Sequence, residues 1–107
     1  MDGPLLVYTT FPDLDTGLAI GEALVRAKLA ACVNVWPGMR SVYAWKGAVE
    51  HGAEAVGIVK TRASLKDDVR AALTAQHPYE TPIVLFIEPT GGDEATLAWI
   101  LAETPAS

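Results

Sequence analysis

The chain has 107 residues, of which 50% are hydrophobic and 20% charged, enough for one domain around a single core and too apolar for intrinsic disorder. Its net charge is −5 and its 8 Lys and Arg residues never cluster, which argues against nucleic acid or a polybasic membrane contact as a partner. No apolar run approaches the roughly 20 residues that a membrane helix needs. Met1-Asp2-Gly3-Pro4 lacks the basic and apolar regions of a secretory leader, and Cys32 is the only cysteine. A cytoplasmic protein without disulfides, folded as a single domain over 1–107, is the expectation.

Leu5-Leu6-Val7-Tyr8-Thr9-Thr10 is apolar and partly β-branched and runs into Phe11-Pro12-Asp13, which predicts a first strand closed by a turn. Between Asp15 and Leu29, Leu18, Ile20, Leu24, Val25 and Leu29 recur at helical intervals, with Asp13 or Asp15 available as a cap. Ala31 to Trp36 and Arg40 to Lys46 both alternate, so one long strand bent or bulged at Pro37-Gly38 is predicted. Lys46-Gly47 begins a turn, Val49-Glu50 reads as a short return piece, and His51-Gly52 as a further break. Glu54 to Thr61 follows as a strand. Ser64 and Asp67 fit a capping box for a helix to Gln76, with Leu65, Val69 and Leu73 on its apolar face. His77-Pro78 stops that helix. Ile83–Ile87, bracketed by Pro82 and Pro89, predicts a strand. Asp93 then caps a short final helix carrying Leu97, Ile100 and Leu101.

The β-α-β-β-α-β order predicts an α+β, ferredoxin-like sandwich with an additional C-terminal helix. In that arrangement Ile83–Ile87 lies at a sheet edge while being apolar on both of its faces. Such a strand invites pairing, so another copy of the chain is expected to cover it.

Lys28-Leu29-Ala30-Ala31-Cys32-Val33-Asn34, Pro37-Gly38, Ser41-Val42-Tyr43-Ala44-Trp45-Lys46-Gly47, Val59-Lys60-Thr61 and His77-Pro78-Tyr79-Glu80-Thr81-Pro82 together resemble the CutA family of divalent-cation tolerance proteins. That resemblance implies a homotrimer and a cytoplasmic, non-enzymatic role in copper tolerance. Copper or another divalent cation is the implied ligand, with none needed for folding. Copper binding in the family is associated with a first-strand cysteine and two adjacent histidines after the second helix. Those positions fall here on Thr9, Gln76 and His77, so only His77 carries over, and hydroxyl and amide are poor replacements at copper.

His77 reads either as a helix-end hydrogen-bonding group or as a metal ligand. Cys32 reads either as a small buried hydrophobe or as a soft-metal ligand. Tyr43, Trp45, Glu50, Lys60 and Tyr79 form a second constellation, in which Lys60 calls for a carboxylate such as Glu50 or Glu80. They describe either an interface ion pair with aromatic packing or an inter-subunit cleft for a small anionic ligand. The second option makes a small-molecule-sensing or signalling trimer the alternative function. No triad, phosphate loop or zinc motif points to catalysis.

Overall fold

The computed structural model describes residues 2–105. The first strand, β1 (Pro4–Phe11), turns at Pro12 into helix α1 (Leu14–Arg26), where Asp13 caps the helix by accepting from the Thr16 amide at 2.7 Å. The helix ends earlier than its apolar periodicity predicts. Lys28 adopts φ 64°, and its amide and that of Leu29 bond back to the carbonyls of Val25 and Leu24. This Schellman ending uses a lysine where glycine is the usual signal, so the sequence does not advertise it.

Strands β2 (Cys32–Trp45) and β3 (Ala48–Arg62) form one long hairpin. Lys46 and Gly47, both with positive φ, make its two-residue turn. Of the predicted bend or bulge, the structure has the bulge: the register shifts between Trp36 and Met39, at Pro37 and Gly38. The predicted break at His51-Gly52 is absent. Ser41 lies opposite Gly52 and Val42 opposite His51, and this ladder holds Val49 and Glu50 in one continuous strand with the rest of β3.

After β3 a single 3₁₀ turn (Ala63–Leu65) leads into α2 (Lys66–Gln76). The expected Ser64–Asp67 capping box does not form. Ser64 lies inside the 3₁₀ turn, and its amide and hydroxyl donate instead to the Asp2 carboxylate. Strand β4 spans only Leu85–Ile87, shorter than the predicted Ile83–Ile87. It pairs β1 at Leu6, Val7 and Tyr8 alone, and among the described residues its other edge has no ladder partner. Helix α3 (Glu94–Glu103) starts at Asp93, whose carboxylate accepts from the Ala95 amide, as predicted.

The sheet order is β2-β3-β1-β4 with every neighbouring pair antiparallel. Leu5, Val7 and Phe11 on one face of β1 pack with Ile20 and Leu24 of α1 and Val69 and Leu73 of α2 to form the core. Gly17 brings α1 close to the sheet: a Cβ there would lie 2.7 Å from both the Phe11 ring and Val35. Leu6, Tyr8, Ile58, Leu85 and Ile87 share the opposite face by register. Leu85 and Ile87 are 58% and 45% exposed.

Candidate functional site

The bulge in β2 decides which side chains reach that second face. Before it, Cys32, Asn34 and Trp36 pair with Lys60, Ile58 and Val56; after it, Met39, Tyr43 and Trp45 pair with Glu54, Glu50 and Ala48. One extra residue on β2 therefore moves the odd-numbered positions of the arm onto the face of Tyr8 and Glu54. The chain after α2 forms the opposing wall. The result is a cleft of about 920 Å³ between the arm, β1 and the segment 78–83.

Glu54 is its best-anchored polar group. One carboxylate oxygen accepts from the Tyr79 hydroxyl at 2.8 Å and the other from the Ser41 hydroxyl at 2.6 Å. Burial first, and then the adjacent Glu54 acceptor, push the Tyr79 phenol well above its usual range, so it remains a protonated donor. Tyr43 and Trp45 stand on the arm side. At the outer rim Lys46 lies over the Trp45 ring, 5.5 Å from its centre, and 3.7 Å from Glu80.

His77 is buried behind the cleft. Its Nε2 lies 2.6 Å from the Thr10 carbonyl oxygen, which can only accept, so Nε2 carries the proton. Nδ1 then accepts from the Tyr79 amide at 3.2 Å. The ring also stacks on Phe11, with centroids 5.5 Å apart and planes 15° from parallel. Both nitrogens are thus occupied within the chain. Cys32 is half-buried at the start of β2 opposite Lys60, whereas Thr10 lies opposite Val56, four residues further along β3. Thr9 is fully buried, and its hydroxyl has no partner among the described residues. Among the described residues no three His, Cys, Asp or Glu side chains gather in a way that could hold a metal ion. The donor set of one chain does not fit a copper site.

The second predicted constellation divides. Tyr43, Trp45 and Tyr79 line the cleft together; Lys60 and Glu50 do not. Glu50 is exposed in the arm opposite Tyr43, ten residues from Lys60 on the same strand, which is roughly 33 Å of extended chain. Glu80, the other expected partner for Lys60, lies with Lys46. The hydrogen-bonded carboxylate of the cleft is Glu54. Strand parity together with the bulge signals it, because that pairing sets Glu54 opposite Met39.

The split β-α-β-β-α-β order around one antiparallel sheet, with a third helix appended, defines an α+β ferredoxin-like domain. Residues 5–103 match the model of the CutA1 divalent ion tolerance protein family. The chain belongs to this family. It is 39% identical over 100 residues to the chloroplastic protein CutA of Arabidopsis thaliana, covering 94% of this chain and 55% of that protein. It is 35% identical to the divalent-cation tolerance protein CutA of Pectobacterium atrosepticum, covering 92% of this chain and 89% of the relative. The chain thus spans little more than half the length of the plant relative. The crystal structure of CutA1 from Oryza sativa superposes with a TM-score of 0.93 at 38% identity, covering 98% of this chain and 96% of that one. Among the described residues no helix is long and apolar enough to cross a membrane.

Proposed function

We propose that the chain serves divalent-cation tolerance as a non-catalytic cytoplasmic homotrimer that binds copper or another divalent cation with groups drawn from more than one copy. The observation that carries this reading is the open sheet face. Leu85 and Ile87, 58% and 45% exposed beside Tyr8 and Ile58, form an apolar strip on a face where α3 sits at the Arg62 end. Edge strands of this kind are stable in water when another chain shields them. The number three comes from the family resemblance.

We place the cation between copies because within one chain His77 has no free lone pair and Cys32 is set apart from it. The same bonding supports a non-catalytic role. Tyr79, Glu54 and His77 are tied to one another's neighbourhood by hydrogen bonds that fix structure. The lone Cys32 supports a reducing compartment.

Light scattering combined with copper titration tests the proposal. A mass of three chains and copper retained after desalting are expected. A monomer would remove the assembly, and a trimer that keeps no copper would remove the cation site.

A further inference from the structure

Two opposite charges on the open side of the sheet lack a counter-ion within the chain. Glu54 is half-buried and accepts only from the neutral hydroxyls of Ser41 and Tyr79. Lys60 is half-buried as well. Among the described residues no basic nitrogen lies within 4 Å of the Glu54 carboxylate, and no carboxylate within 4 Å of the Lys60 ammonium. Both stand at even positions of β3 and so share the face of Leu6, which lies opposite Lys60. They cannot meet within one chain, because six residues of extended strand span about 20 Å.

That face is the one that a second copy covers in the assembly proposed above. Closing an interface over a charge without bringing it a counter-ion opposes association strongly. Each of the two groups therefore calls for its opposite from the incoming chain. The other basic side chains of the sheet are spent or turned away. Arg62 holds Asp2, Thr104 and the Leu101 carbonyl, and Lys46 lies with Glu80. Arg40 lies opposite Ala53, on the reverse of the arm from Ser41 and Glu54. On the acidic side, Glu50 is exposed, whereas Glu54 is held in one orientation by two hydroxyls and keeps about two of its four acceptor positions open.

We propose that Glu54 of one copy and Lys60 of a second copy form an ion pair across the subunit border, the ammonium lying on the carboxylate beside the Tyr79 and Ser41 hydroxyls. The two groups occupy different places on the chain, so each copy offers a carboxylate to one neighbour and an ammonium to the other. A closed ring of copies satisfies every such group. The inference rests on the trimer reading and deepens it: the apolar strip supplies area, and the ion pair sets how neighbouring copies are oriented.

The test is a double-mutant cycle on the assembly. Lys60→Met and Glu54→Gln each remove one charge and keep the length of the side chain. Either is expected to weaken association tenfold or more, read by light scattering as dissociation at lower urea than the parent, and the double variant is expected to be no weaker than the worse single one. Additive losses, or single variants as robust as the parent, would overturn the pair and leave the trimer standing. The parent oligomer gives a second readout that needs no substitution. Carbodiimide coupling joins a carboxylate to an amine where the two touch, so oligomers reassembled from isotopically light and heavy chains should yield linked peptides of mixed label that join Glu54 to Lys60. Lys60 coupled instead to another carboxylate would overturn the pair. A monomeric parent would overturn the trimer reading and the pair with it.

Discussion

The imidazole of His77 and the main-chain carbonyl of Thr10 meet at 2.6 Å, so the residue that ends α2 is fastened to β1. The same ring takes the Tyr79 amide on its other nitrogen and lies flat on Phe11. One buried side chain therefore sets the path of the chain from α2 into the wall of the cleft.

Truncating that side chain should be costly. His77→Ala leaves the Thr10 carbonyl and the Tyr79 amide without their partner and opens a void beside Phe11. A loss of about 2–4 kcal/mol is expected from these effects together. Chemical denaturation monitored by circular dichroism would measure it. A midpoint unchanged from the parent would show that the ring contributes nothing to the fold.

Acid should release a different contact. Hydrogen bonds from Ser64, and then the Arg62 guanidinium, hold the Asp2 carboxyl below its ordinary value of 3.8. A carboxyl lowered in the folded state adds stability that is complete above its unfolded value and fades as pH falls through the folded one. Asp2→Asn should therefore be less stable than the parent at neutral pH and converge with it in strong acid. Thermal melts across the acid range would show this, and parallel curves at every pH would contradict it.

The helix ending at Lys28 offers a change in the other direction. A lysine at φ 64° bears a steric cost that glycine avoids. Lys28→Gly should raise stability by up to about 1 kcal/mol, less the extra chain entropy of glycine. Denaturant midpoints for the two proteins decide it, and a destabilised variant would refute it.

Leu85 tests the assembly. It faces the open side of the sheet and is 58% exposed in one chain, so Leu85→Glu leaves the core intact. Charge on the strip should dissociate the oligomer into folded monomers, seen as a fall in mass by light scattering with the far-ultraviolet spectrum retained. A variant with the mass of the parent would mean that copies do not meet there.

Most of the fold is legible from local pattern because its signals are local. Asp13 and Asp93 cap where they should, Pro37-Gly38 bulges β2, and Lys46-Gly47 turns the hairpin. What escaped depends on partners distant in sequence. Gly52 stays within β3 because Ser41 lies opposite it, and Ser64 leaves its capping role because Asp2 takes both its donors. The short β4 is the same lesson: five apolar residues favour a strand, but β1 provides opposite partners for three. In the cleft, the aromatic residues were readable as a group. Glu54 was not, since which β2 side chains meet it depends on a register shift rather than on its neighbours along the chain.

That shift gives the arm one residue to spare. Deleting Gly38 alone, with every other residue kept, would set Pro37 opposite Ala55 and leave Met39 opposite Glu54, so the ladder would become regular with Ser41, Tyr43 and Trp45 still on their present side of the ribbon. Ser41 would stay opposite Gly52 beside Glu54, and the shortened arm would lose only the local bend that the surplus residue imposes.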